Sequence, residues 1–178
     1  MEEVILVNEQ DEVIGYMEKM LAHEQAVLHR AFSVFVFNTK GEMLLQQRAL
    51  SKYHSAGLWS NTCCSHPRKD EETLAAATRR LQEEMGFTVP LHKIFHFTYK
   101  ASFDNGLTEH EFDHVYTGIY ENDIAFNVQE VAAYKYQSVE IIKQSIEHEP
   151  QLYTAWFLMA FPKVYDWWKE NPLAYAIN

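Results

Sequence analysis

Residues 60–86 read Ser-Asn-Thr-Cys-Cys-Ser-His-Pro-Arg-Lys-Asp-Glu-Glu-Thr-Leu-Ala-Ala-Ala-Thr-Arg-Arg-Leu-Gln-Glu-Glu-Met-Gly, a thiol pair and a histidine running straight into a charged segment. From Glu71 to Met85 there is no proline or glycine, the formers Ala, Leu, Gln, Glu and Arg dominate, and Gly86 follows as a stop. This predicts one helix with a defined C-terminus. Leu74, Ala77, Thr78, Leu81 and Met85 recur at intervals of three and four, which predicts a core-facing stripe and sets Arg80 and Glu84, one turn apart, on another face. Charge is expected to gather away from the packed side.

Upstream, 4–7 and 13–16 are short apolar runs split by the polar Asn8-Glu9-Gln10-Asp11-Glu12, the pattern of a peripheral hairpin. Tyr16 to Leu21 has helical apolar spacing. Ala31 to Phe37 is apolar on both faces and predicts a central strand, Asn38-Thr39-Lys40-Gly41 a turn, and Met43 to Arg48 a partner strand that delivers Arg48 and, just beyond, Lys52. Downstream, 87–91 and 94–99 read as short strands, and 107–120 as a longer one that puts Glu109 and Glu111 on one face. Val139 to His148 predicts an amphipathic helix, and Tyr153 to Lys169 an aromatic one interrupted by Pro162. Strands around one central helix, with further helices near the ends, predict a mixed α+β sandwich. No repeat or linker divides residues 1–178, so one domain is expected.

The chain has 178 residues, of which 47% are hydrophobic and 14% aromatic, enough for a substantial core. Its formal charge of −10, with no basic tail or stripe, argues against nucleic acid and membrane surfaces as partners, so an anionic small molecule must be held by a local basic cluster or a metal. The only two cysteines are adjacent, Cys63 and Cys64, where a disulfide would close a strained ring; a reducing cytoplasm is the simpler expectation. The first residues have the pattern of neither a signal nor a transit peptide.

His23, His29, His66, Glu109 and Glu111 are candidates for one metal, though no short ligand motif joins them. His23 and His29 lie six apart, the wrong interval for one helix face, so they converge only if the chain leaves the helix between them. The alternatives are plain ones: surface or core imidazoles in a chain with nine histidines, and for the glutamates the solvated face of an edge strand. Cys64, beside Asn61, Ser65 and His66 in what reads as a polar loop, is placed to be an ionisable thiol; the alternative is a small buried hydrophobe, and Cys63 is its internal control. Arg48, Lys52 and Arg80 are surface charges by default, and Tyr99 and Trp156 core aromatics.

Glu71, Arg79, Glu83, Glu84 and Gly86 keep the spacing of the Nudix box, which the stretch resembles with two departures. Ser65 stands where the first glycine belongs, and Arg80 where a Nudix hydrolase carries a glutamate of its metal cluster. Losing a carboxylate and gaining a cation weakens a hydrolytic magnesium site while adding a charge that can hold a diphosphate intact. With Leu28-His29-Arg30-Ala31-Phe32-Ser33, Gln47-Arg48-Ala49, Asn61-Thr62-Cys63-Cys64-Ser65-His66-Pro67 and Glu109-His110-Glu111, the chain from about residue 4 onward closely resembles the type I, Nudix-related isopentenyl-diphosphate Δ-isomerases. Where that family commonly has Pro-Trp, this chain has Ala155-Trp156.

The resemblance implies a Nudix-like fold and a reversible double-bond shift between isopentenyl and dimethylallyl diphosphate, by protonation and deprotonation through a tertiary carbocation. It implies that His23, His29, His66, Glu109 and Glu111 bind a divalent metal (manganese, zinc or magnesium) and that Glu84, with the Cys64 carbonyl, holds magnesium against the diphosphate. Arg48, Lys52 and Arg80 would clamp the diphosphate, Glu111 with Tyr99 and Cys64 would exchange protons on opposite faces, and Trp156 would face the cation. Two readings compete: a Nudix hydrolase of an organic or nucleoside diphosphate, and a non-catalytic binding module on the same fold.

Overall fold

The structure is a computed structural model that describes residues 2–52 and 54–172. Its spine is β3 (His29–Phe37), nine residues with almost every side chain buried. Along one edge β3 pairs in parallel with β8 (Thr108–Ile119), from His29 opposite Glu111 to Phe37 opposite Ile119. Its other edge is shared in turn by three partners. These are β1 (Glu3–Val7) at His29, β6 (Cys63–Ser65) at Phe32 to Val34, and β4 (Met43–Arg48) at Phe37. The hairpin partner β2 (Val13–Glu18) forms one edge; β5 (Trp59–Ser60) and β9 (Val131–Gln137) flank β4, and β7 (His92–Ser102) flanks β8.

Strand alternation then builds two cores. Phe35 and Phe37 of β3 join Val115, Trp156, Phe157 and Phe161 under α3 (Val139–His148) and α4 (Ala155–Glu170). Phe32, Val34 and Val36 meet Ala76, Ala77, Leu81 and Met85 of α2 (Thr73–Met85) on the opposite face. The order strand, central helix, strand, late helices is the expected α+β sandwich, with the box helix α2 on one side of the sheet.

Several local expectations are corrected. The helix begins at Thr73, because Glu71 is held outside it, its carboxylate accepting from the Arg68 N–H at 2.8 Å and from Arg79. Its buried stripe includes Ala76 and Glu84, whereas Leu74 is 46% exposed; charge is therefore brought inward at Glu84. Gly86 caps the helix at φ 79°, where an added Cβ would stand 2.2 Å from the Ala125 carbonyl oxygen, so only glycine fits the turn. Residues 87–91 are irregular; Phe87 and Leu91 dock into the core by side chain alone, next to Pro90. Tyr16 belongs to β2, and the helix that follows, α1 (Lys19–Glu24), is short. β9 is a strand beyond those the sequence pattern predicts. α4 runs through Pro162 because Trp156, Phe157, Ala160, Phe161 and Val164 pack along one side and outweigh the roughly 3 kcal/mol that an interior proline costs. Cys63 to Ser65 is a strand, and β8 lies between β3 and β7, so its carboxylates are on no solvated edge.

Candidate active site

The sheet alternation that builds the cores also builds the site. His29 opens β3 directly opposite Glu111 of β8, and Cys64 of β6 lies opposite Ser33 of β3, so all four side chains share one sheet face. The chain leaves α1 after Glu24 and enters β3 at His29, which lets His23 and His29 converge despite their interval of six. One ligand atom from each of His23, His29, His66 and Glu111 lies within 4.8 Å of the others, and all four residues are buried.

The imidazoles are held from behind. His23 Nδ1 lies 2.6 Å from the Lys19 carbonyl and His29 Nδ1 2.8 Å from that of Val27, so both Nδ1 atoms donate to the backbone and both Nε2 atoms face inward. His29 Nε2 stands 3.2 Å from His66 Nε2, His66 Nε2 stands 2.9 Å from Glu111 Oε1, and the buried His23 Nε2 has no hydrogen-bond partner among the described residues. Burial lowers His23 and pulls His66 down to about 4, so these rings are neutral. Inward-facing Nε2 atoms on two backbone-anchored imidazoles, with His66 and a carboxylate beside them, are a donor set that fits a divalent cation.

Glu109, also proposed as a ligand, lies outside that group of four. Two positions along β8 from Glu111, its Oε2 stands 3.1 Å from Tyr99 Oη and its Oε1 3.6 Å from His54 Nε2. The Tyr99 hydroxyl donates to Glu111 at 2.6 Å, which links the two carboxylates. Burial and the neighbouring Glu111 raise Glu109 well above the usual carboxylate range; burial also acts upward on Glu111, but His66 and His29 outweigh it and hold Glu111 well below.

These groups line one cavity of about 80 Å3, together with Cys64, Trp156, Arg48, Lys52, Arg80 and Glu84. Arg80 donates to Glu84 at 2.6 Å and Glu83 at 2.9 Å, and Lys52 pairs with Glu130. Glu84 also accepts from Gln46 Nε2 at 2.9 Å, so the buried carboxylate is held at both oxygens. The β4–β9 register shifts between Gln47 and Arg48, and past this irregularity Arg48 leans over the Trp156 ring. Trp156 is buried and fixed by its Nε1–H to Ser60 Oγ, 2.9 Å.

The expectation of an easily ionised Cys64 is corrected. Burial, reinforced by Glu84, Glu109 and Glu111 and opposed by Arg48, pushes its thiol well above the usual range, so it keeps its proton at neutral pH. Cys63 points the other way, into the core under α2. Three lining residues escaped the sequence reading: Lys19, Ser65 and His54. Lys19 carried a signal, standing one helical turn before His23; His54, in the loop after β4, carried none.

Residues 27–157 match the NUDIX domain model. The chain is 51% identical over 167 residues to "Isopentenyl-diphosphate Delta-isomerase" of Pectobacterium atrosepticum, covering 94% of this chain and 93% of that protein. It is 48% identical over 157 residues to the protein of the same name from Serratia proteamaculans, 88% of each being covered. Among solved structures, DR0079 from Deinococcus radiodurans superposes with a TM-score of 0.76 at 20% identity, over 92% of this chain and 99% of that one. A MutT protein from Methanosarcina mazei gives 0.64 at 22% identity, over 81% and 95%, and these two likenesses bear on the fold alone. Among the described residues no helix is long and apolar enough to cross a membrane. With a NUDIX domain over most of its length and relatives near half identity along nearly all of it, the chain belongs to the isopentenyl-diphosphate Delta-isomerase family.

Proposed function

We propose that this protein interconverts isopentenyl and dimethylallyl diphosphate by adding a proton at carbon 4 and removing one from carbon 2. The observation that carries this reading is the convergence of the Cys64 thiol, the Tyr99–Glu111 pair and the Arg48, Lys52 and Arg80 cations on one small cavity. The cations bind the diphosphate and orient the alkene, a task for which Arg80 replaces the box glutamate that a hydrolase would need. Glu111 and Cys64 exchange protons with the substrate from two sides, and because the reaction is reversible each is acid in one direction and base in the other. The Tyr99 hydroxyl, 2.6 Å from Glu111 and 3.1 Å from Glu109, holds the two carboxylates in place beside the substrate. Trp156 offers its ring to the tertiary cation, and the buried walls keep out the water that would trap it.

His23, His29, His66 and Glu111, with Glu109 beside them, would hold a divalent ion, manganese, zinc or magnesium by donor chemistry, and Glu84 with the Cys64 carbonyl would hold magnesium against the diphosphate. Bound there, such ions supply positive charge that fixes the carboxylates and offsets the charge of the diphosphate. Two free thiols suit a reducing cytoplasm.

The test is proton NMR of isopentenyl diphosphate in deuterated water with the protein and magnesium. Dimethylallyl signals with deuterium uptake and no inorganic phosphate are expected. Release of phosphate would move the chain to hydrolysis, and an unchanged spectrum after each divalent metal is supplied would leave only binding.

A further inference from the structure

Two loops far apart in the sequence meet beside the cavity in one pair of rings. The first lies between β4 and β5 and is closed at its base by Arg48 N–H to Leu58 O at 2.9 Å and Gly57 N–H to Arg48 O at 3.1 Å. The second joins β7 to β8 and is closed by Phe103 N–H to Leu107 O at 2.8 Å. From the first, His54 stacks on Phe103 of the second, with ring centroids 4.8 Å apart and planes 18° from parallel. The same imidazole stands edge-on to Trp156, 5.8 Å away at 88°, and its carbonyl accepts from Arg48 Nη2 at 3.3 Å. His54 is buried and lines the cavity, with its Nε2 3.6 Å from Glu109 Oε1.

Arg48, Lys52 and Arg80 bring cations to the cavity, while Trp156 and His54 bring rings to it, His54 backed by Phe103; Arg48, over the Trp156 ring, stands where the two groups meet. We propose that His54 is a specificity-determining residue: stacked on Phe103, its ring walls the cavity beside Trp156, where the substrate's hydrocarbon meets the indole, and restricts the accepted diphosphates to those with a branched five-carbon chain. This rests on the isomerase reading and names what sets its substrate size. A ring held between two independently anchored loops and a buried tryptophan cannot move aside singly, so an extra carbon has to part both loops or displace Trp156. A close-packed wall of rings that meets hydrocarbon discriminates by about 10- to 200-fold per methylene. A histidine that merely fills the core would instead change stability and weaken all ligands alike.

The experiment is calorimetric titration, with magnesium present, of wild type, His54→Ala, His54→Phe and Phe103→Ala. The ligands are isopentenyl diphosphate and 3-ethylbut-3-enyl diphosphate, in which an ethyl group replaces the methyl branch. Wild type should prefer the five-carbon ligand by about tenfold or more, His54→Ala should bring the two within about threefold, and His54→Phe, which rebuilds the wall without the imidazole, should restore the preference. Phe103→Ala removes the same wall from the other loop and should match His54→Ala, which keeps the test decisive if that variant folds poorly. Equal binding of both ligands by wild type, or an unchanged ratio in both alanine variants, overturns the assignment. The NMR assay separates the two readings: conversion by wild type with an unchanged ratio in the variants leaves the isomerase and removes the wall. Absence of conversion removes the isomerase, while the binding ratio still decides the wall.

Discussion

The guanidinium carbon of Arg48 stands 5.0 Å from the centroid of the Trp156 ring. The face proposed to meet a carbocation therefore already accepts a cation, and that cation is one of the proposed diphosphate ligands. Trp156→Leu is expected to lower kcat by roughly thirtyfold, the equivalent of about 2 kcal/mol for a desolvated cation on an indole, with KM little changed. Trp156→Phe keeps a ring, loses the hydrogen bond to Ser60, and should fall only a few-fold by the same reckoning. Arg48→Gln should act in the opposite sense, raising KM by about tenfold or more. Steady-state kinetics by NMR separates the two, and a Trp156→Leu enzyme with wild-type kcat would remove the indole from the chemistry.

The two cysteines divide by face. Cys64 lines the cavity and Cys63 the core under α2. Cys64→Ala is expected to cut turnover by about a thousandfold or more, in the range of a lost acid–base group, while the melting temperature stays within a few degrees. Cys63→Ala should lose about 1 kcal/mol of stability and keep most activity. An active Cys64→Ala enzyme would overturn the role given to the thiol.

Arg80 and Glu84 are linked at 2.6 Å, and Glu84 is only 5% exposed. Arg80→Gln therefore leaves a buried carboxylate without its cation, and roughly 3 kcal/mol of stability should go with it, along with diphosphate affinity. The double variant Arg80→Gln/Glu84→Gln should recover most of the stability and none of the affinity. Recovery of both in the double variant would show that Arg80 only neutralises Glu84.

Burial pulls His66 to about 4 from its usual 6.5. As pH falls below 6.5 the unfolded chain takes up a proton that the folded chain refuses until about pH 4, so stability conferred by the neutral ring is full above 6.5 and drains away down to 4. For the metal-free protein the upper bound on this loss is about 3 kcal/mol. Thermal melts across that range with a chelator should show the decline, and His66→Asn should flatten it. Manganese or zinc should raise the melting temperature near pH 7 and lose this effect as acid competes for the ring nitrogens. A melting temperature indifferent to chelator and metal at pH 7 would count against the ion site.

Much of this was legible because it is local. The apolar run from Ala31 to Phe37, the turn at Asn38 to Gly41 and the stop at Gly86 act within a few residues, and strand, turn and cap stand where the pattern placed them. The alternation of 107–120 likewise put Glu109 and Glu111 on one face. The misses have a common cause. Leu74 looked buried and Glu84 exposed because helical spacing fixes which residues share a face but not how that face is rotated toward its neighbours. The paired Glu84–Arg80–Gln46 group allowed a charge where the stripe called for a hydrophobe.

The sequence by itself determined the strand-and-helix order, the membership of the family, and the residue types able to bind a cation or a diphosphate, since each of these rests on short spacings. Only the tertiary structure decided that His23, His29, His66 and Glu111 meet, because β3 and β8 bring His29 opposite Glu111 while a break after α1 swings His23 toward them. It also decided that Cys64 keeps its proton and that His54 reaches Phe103 and Trp156. The physical reason is the same in each case: burial and proximity belong to contacts between distant segments, which no local spacing encodes.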